Sequence, residues 1–270
     1  MNYTELKEMN RQIRIDIVNM LSNSKSGHPG GSLSCVEILS SLYFNQMKIN
    51  PQEPNWEDRD RLVLCKGHAA PALYSVLARR GYFPVEELST LRKLGSNLQG
   101  HPDMKKTKGV DASTGSLGQG LSIAVGFGLT AKLNKKDFKI YAVVGDGEMQ
   151  EGQFWEALMS AAHYKLDNLT IIVDNNGLQI DGRNEEVMDL GNIKSKMESF
   201  GLGVIEIDGH NVEALCCAYK IDFKGKPKCI VAHTVKGKGI SFMENQVGWH
   251  GKAPNDEEVA RALNELGGDK

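Results

Sequence analysis

"FKIYAVVGDGEMQEGQFWEALMSAAHYKLDNLTIIVDNNGLQIDG", residues 138–182, decides the fold. The opening "FKIYAVV" is apolar and β-prone and predicts a strand that runs into the Gly145-Asp146-Gly147 turn. From 151 to 164, Phe154, Leu158 and Ala161 recur at helical spacing, with Trp155, Met159 and Ala162 beside them. Glu156, Ser160 and His163 fall on the opposite, wet stripe, so the segment reads as an amphipathic helix. "LTIIV", 169–173, is apolar on both faces, as a central parallel strand should be. Strand, helix and strand in this order make a β-α-β unit.

The alternation continues outward in both directions. Downstream come a strand "GVIEI", a turn "DGHN" in which Asn211 can cap a helix, that helix to about Lys220, and a strand "KCIVAHT". Upstream, "RLVLC" predicts a strand broken by "KGH" at 66–68, and Pro71 suits the first turn of the next helix. "DASTGSLGQGLSIAVGFGLTAKL" is a glycine-rich turn leading into a small-residue helix over 117–131. Leu6, Met9, Ile13, Ile17, Met20 and Leu21 predict an N-terminal helix, and a second helix pattern spans 33–44. From Pro254 onward the tail reads as a short exposed helix. The expected fold is α/β, a doubly wound parallel sheet with helices on both faces, formed as one domain over residues 1–270.

Composition limits the function. At 270 residues the chain can bury a large core of its own. A formal charge of −2 gives no electrostatic case for nucleic acid or an anionic membrane. Apolar runs such as "LTIIV" are far too short to span a bilayer, and the charged start "MNYTELKEMNRQIR" does not read as a signal peptide. A cytoplasmic location is the expectation. The five cysteines show no Cys-x-x-Cys pair and no zinc spacing, so they are read as reduced structural thiols.

In open parallel sheets ligands bind beyond the carboxyl ends of the strands. Asp146 follows one strand and Asn176 the next, thirty positions on (176 minus 146), so one β-α-β unit carries both to the same rim. An aspartate about 4 Å from a diphosphate would be repelled by roughly 4 kcal/mol per charge pair at an effective dielectric near 20. A divalent cation between them reverses the sign. Magnesium takes hard oxygen ligands, and Asp146, the Asn176 amide oxygen and the Leu178 carbonyl would supply three, leaving room for phosphate and water. Gly145 and Gly147 permit close backbone approach, and amides at the start of the 151–164 helix are expected as donors. Of the seven histidines, His28, His68, His101 and His250 lie in the glycine-flanked loops "SGHPG", "KGHAA", "QGHPD" and "GWHGK". Such loops suggest a cleft lined by imidazoles that hydrogen-bond a polyhydroxylated substrate and move protons. His163 and His210 read as structural, and His233 is left open.

Taken together, "SGHPGG", "KGHAAPALY", "STGSLGQGLSIAVG", "GDGEMQEGQFWEA", "DNNGLQIDG", "IDGHN" and "WHGKAP" resemble, in that order, the N-terminal, diphosphate-binding half of transketolase. The resemblance implies thiamine diphosphate and magnesium as cofactors, with Asp146, Asn176 and the Leu178 carbonyl on the metal. It further implies that Gly147 and His68 contact the diphosphate and that Gly115 and Leu117 lie against the cofactor. His28, His101 and His250 would contact substrate hydroxyls, with His28 and His250 as proton carriers, and Glu151 would sit where subunits meet. Ser116 stands where relatives often have proline in the loop "TGSLGQG". The implied reaction transfers a two-carbon ketol group from a ketose phosphate to an aldose phosphate, its chemistry carried largely by the cofactor. A glutamate that activates the cofactor and most phosphate-holding groups lie in a further domain of the family. The chain ends soon after "WHGKAP", so it is expected to be the N-terminal subunit of a split transketolase whose companion carries the pyrimidine-binding and C-terminal domains, in a symmetric hetero-oligomer.

Other readings compete. Gly126-x-Gly128-x-x-Ala131, with Asp146 twenty residues after Gly126, imitates a dinucleotide fingerprint and would make an NAD-dependent oxidoreductase. A fingerprint should follow a strand, whereas this one falls inside the expected 117–131 helix. A catalytically silent regulatory paralogue and a thiamine-dependent dehydrogenase component share the fold expectation.

Overall fold

A computed structural model describes residues 1–267; the end of the expected tail, 268–270, lies outside the described residues. Strands β1 (Arg61–Leu64), β2 (Ile140–Gly145), β3 (Leu169–Asn175), β4 (Gly203–Asp208) and β5 (Lys228–His233) form one sheet in the order β1-β2-β3-β5-β4. Every pairing is parallel. β3 is central, which explains why "LTIIV" is apolar throughout: both faces are covered, and only its last residue, Asn175, is partly open.

Among the described residues ten α-helices surround the sheet: α1 (Tyr3–Ser24), α2 (Pro29–Ser34), α3 (Val36–Ser41), α4 (Ala70–Arg80), α5 (Gln119–Leu133), α6 (Gly152–His163), α7 (Asn184–Val187), α8 (Ile193–Ser199), α9 (Val212–Lys220) and α10 (Asp256–Glu265). Strand side chains alternate between two cores. Leu62, Leu64, Val143, Ile172 and Ile230 pack with Ile17 of α1, Leu39 of α3, Leu73 of α4 and Leu215 of α9. Val63, Ala142, Val144, Ile171 and Val173 pack with Leu121 of α5, Phe154 and Leu158 of α6 and Met197 of α8. Each fully buried residue of this size contributes about 1.5–3 kcal/mol, so these two layers fix the strand tips that carry the site.

Local signals act as their chemistry dictates. Asn211 accepts from the Ala214 amide at the start of α9, and Pro71 sits in the first turn of α4. All five cysteines are unpaired. Among the described residues no helix is long and apolar enough to cross a membrane.

Three expectations need correction. The pattern over 33–44 is not one helix: α2 ends at Ser34, Cys35 with φ −100° and ψ 13° breaks the run, and a π-turn at Leu42–Gln46 follows α3. The helix expected from 151 begins at Gly152, preceded by a 3-10 turn over Gly147–Gln150, so the amides beside Asp146 come from that turn and the Gly177 loop rather than from α6. Met159 is 62% exposed, because α6 buries a narrower stripe centred on Phe154, Leu158 and Ala161.

Candidate functional site

At the carboxyl rim of the sheet a cleft of about 340 Å³ opens above β1, β2 and β3. It is lined by His28, His68, His101, Gly115, Leu117, Asp146, Gly147, Glu151, Asn176, Leu178 and His250, so the sequence-predicted site residues all meet in one place. His233 does not: its ring bonds Asn175 (3.2 Å) and approaches Glu206 (3.4 Å) in a neighbouring depression. His163 is exposed against Tyr164, and His210 accepts the Val235 amide (2.8 Å) while bonding Glu37 (2.9 Å). Neither lines the cleft.

Asp146 is 2% exposed at the tip of β2. Its carboxylate accepts from the Gly147 amide (2.8 Å) and from the Gly177 amide (2.5 Å), which ties the tips of β2 and β3 together. Burial, and then the negative charge of Asp174, push its pKa up to about 6. Two buried carboxylates in one small volume disfavour ionisation; a divalent cation would relieve this. The Asn176 amide oxygen accepts from the Leu178 amide (3.1 Å), and the Leu178 carbonyl accepts from Lys236, which lines the same cleft. Carboxylate, amide and carbonyl are the hard oxygens that magnesium prefers. Glycine keeps the cradle open: a Cβ on Gly115 would stand 2.8 Å from the His101 ring, and one on Gly31 would stand 3.2 Å from His68 Nε2.

Three imidazoles form a triangle, with ring centroids 5.3 Å (His28–His68), 5.6 Å (His28–His250) and 5.3 Å (His68–His250) apart. Burial and nearby cations lower all of them: His28 to about 4, His250 to about 3, and His68 well below the ordinary range. All three are therefore neutral at pH 7. Lys236 Nζ, a donor only, bonds His250 Nδ1 (2.9 Å), which leaves the ring proton on Nε2. His28 Nδ1 is buried without a hydrogen-bond partner.

Four charged groups of the site escaped the sequence reading. Lys66, 2% exposed, bonds Asp174 and the Gly31 carbonyl (2.6 Å), and Asp174, fully buried, also accepts from Ser34 (2.6 Å) and Thr234. Burial alone would raise Asp174; Lys66 and these hydroxyls more than reverse it, and its pKa is lowered. Lys236 Nζ donates to the Leu178 carbonyl (3.0 Å), and burial brings its pKa down to about 8. Glu148 clamps the Gly118 amide (3.0 Å) and the Gly145 amide (3.3 Å), fastening the loop of Gly115 and Leu117 to the Gly-Asp-Gly turn. A charge adjoining an apolar strand was the available signal: Asp174 follows "LTIIV" and Lys66 follows "RLVLC".

The dinucleotide reading fails on position. Gly126 and Gly128 lie within α5, with no strand leading directly into it.

Fold and cleft together define an α/β enzyme domain with its site at the carboxyl rim of a parallel sheet. The thiamine diphosphate binding domain of transketolase matches residues 5–270, and the chain belongs to the transketolase family. The 6-deoxy-6-sulfo-D-fructose transketolase subunit SqwG of Clostridium sp. (strain MSTE9) is 47% identical over 242 residues, which is 89% of this chain and 88% of that protein. An apulose-4-phosphate transketolase subunit of Phocaeicola vulgatus is 42% identical over 261 residues, 96% of this chain and 92% of that one. The crystal structure of transketolase from Campylobacter jejuni superimposes with a TM-score of 0.93 at 36% identity. That match covers 100% of this chain but 44% of the Campylobacter chain.

Proposed function

We propose that this chain is the N-terminal subunit of a two-chain transketolase, transferring a ketol group between sugar phosphates with a companion that carries the remaining domains. The observation that carries the reading is the convergence of Asp146, Asn176, the Leu178 carbonyl and the four loop histidines on one cleft. Division into two chains is supported by relatives of matching length that are named as transketolase subunits.

In this reading Asp146, Asn176 and the Leu178 carbonyl hold magnesium, and Gly147 and His68 contact the diphosphate. Gly115 and Leu117 border the cofactor, and Lys236 adds a cation beside the Leu178 carbonyl. Thiamine diphosphate, when bound, supplies the nucleophilic carbon and the electron sink for ketol transfer. The protein orients the sugar. His250 presents an Nε2–H donor to a hydroxyl, and His28, lining the same cleft, is the second ring placed to bond one and carry its proton. His101 lines the cleft nearer its mouth as a further hydroxyl contact, and Glu151, at the N-cap of α6, faces the companion. The neutral state of these rings suits hydrogen bonding to sugar hydroxyls at pH 7. The active assembly is a symmetric hetero-oligomer.

Mixing the purified chain with its companion tests this. Ketol transfer is expected from the mixture and not from either chain alone; full turnover by this chain alone would overturn the division into two chains.

A further inference from the structure

Arg92 adopts φ 61°, the left-handed region, which side-chain-bearing residues rarely enter and which persists only where the surroundings impose it. Here they do. The Arg92 amide donates to the Leu98 carbonyl (2.8 Å), closing a small loop. Thr90 and Ser96 join their hydroxyls across that loop (2.7 Å), and the Leu98 amide donates to Ser96 Oγ (3.0 Å). Tyr74 of α4 then pins the returning chain, its hydroxyl bonding the carbonyls of Gln99 (2.9 Å) and His101 (3.1 Å).

This frame lays the Arg92 guanidinium over Gly100. A Cβ at Gly100 would stand 2.6 Å from Arg92 Cζ, so the guanidinium lies directly against the bare backbone there. The next residue is His101, whose ring abuts Gly115 in the cleft. Arg92 is exposed and, among the described residues, forms no ion pair and no side-chain hydrogen bond. Arg14, Arg59 and Arg79 are each engaged by an acid, namely Glu37, Asp111 and Asp16. In the cleft, Lys66 and Lys236 are committed to Asp174 and to the Leu178 carbonyl, while Arg92 stands just outside its lining, against Gly100 and next to His101. After burial, Arg92 is the largest influence lowering both His28 and His101, which places its charge within electrostatic reach of the substrate-facing rings.

We propose that Arg92 is a specificity-determining residue that reads the anionic end of the sugar substrate, a phosphate or sulfonate at the terminus farthest from the reacting carbonyl. The inference rests on the transketolase reading above. A planar guanidinium lying against Gly100 beside His101, with its donors free, matches the oxygens of either anion.

The test uses the reconstituted two-chain enzyme with hydroxypyruvate as donor and three acceptors: D-glyceraldehyde 3-phosphate, its C3-sulfonate analogue and D-glyceraldehyde. For Arg92→Ala the ratio of kcat/KM for an anionic acceptor over the neutral one should fall about tenfold, the lower end of what a hydrogen bond to a charged group contributes, and the fall should be carried by KM. The anion whose ratio falls further is the one Arg92 reads. Arg92→Lys should retain part of the discrimination. Arg92→Gly should lose it while melting no lower than the wild type, because glycine accepts the left-handed backbone without strain. An unchanged ratio in Arg92→Ala, with ketol transfer intact, overturns this inference alone; a reconstituted enzyme that transfers no ketol group to any acceptor overturns it together with the functional reading.

Discussion

Replacing Lys66 by methionine probes the buried ion pair that joins α2, β1 and β3 beneath the cleft. Lys66 is 2% exposed and Asp174 fully buried. Removing one member of such a pair leaves an uncompensated charge and costs about 3–5 kcal/mol. Asp174 would keep the Ser34 and Thr234 hydroxyls and a long contact to Asn176 (3.4 Å), which places the loss near the lower bound, about 3 kcal/mol. With an unfolding entropy of about 2.1 cal/mol/K per residue over 270 residues, that loss lowers the melting temperature by about 5 °C. The deficit also has a pH signature. Asp174 has a lowered pKa in the folded protein, so its contribution is present above the unfolded value of about 3.9 and lost as pH falls through the folded one. Without Lys66 burial dominates and holds Asp174 above its unfolded value, so the variant takes up a proton on folding as pH falls from 7 toward 4, and its gap to wild type should narrow over that range. Adding Asp174→Leu to Lys66→Met should recover much of the loss. Calorimetric melting of both variants at pH 7 and pH 5 measures this. A fall at pH 7 of less than 1 °C, or a double variant no better than the single, would refute the reasoning.

Further predictions concern the cleft. Asp146, with its pKa raised to about 6, must shed a proton to hold a metal, so magnesium-dependent binding of thiamine diphosphate should weaken as pH falls through 6, about tenfold per unit below it; calorimetric titration from pH 5 to 7.5 checks this, and a flat profile contradicts it. Gly115→Ala places a Cβ at φ 142° and 2.8 Å from the His101 ring, so it should cost more than about 1 kcal/mol of stability and weaken cofactor binding; melting and titration together report it, and a variant identical to wild type speaks against the cradle.

How far the sequence revealed these features depends on whether they are local. The β-α-β unit over 138–182 was legible because "LTIIV" could only be a doubly covered strand, and its two ends carried Asp146 and Asn176 to one rim. The loop histidines were legible as a set because glycine flanks them, and His28, His68 and His250 do meet. The partnership of Lys66 with Asp174, 108 positions apart, was not, since nothing local says which loop supplies the counter-charge. Lys236 was hidden for the same reason: only the fold shows that it fixes the His250 tautomer and touches the Leu178 carbonyl. The break at Cys35 carries no glycine or proline to announce it, and Met159 fits the apolar period yet projects past the edge of the buried stripe. Nothing local in the sequence marks Arg92; its backbone conformation and its place against Gly100 set it apart only in the fold.

Titration of thiamine diphosphate into the reconstituted enzyme, with and without magnesium, for wild type and Asp146→Ala, tests the account most directly. It predicts binding that needs magnesium in the wild type and is abolished in Asp146→Ala, while circular dichroism and melting show the fold intact. Binding by Asp146→Ala with the wild-type affinity and magnesium dependence would contradict the assignment of the cleft.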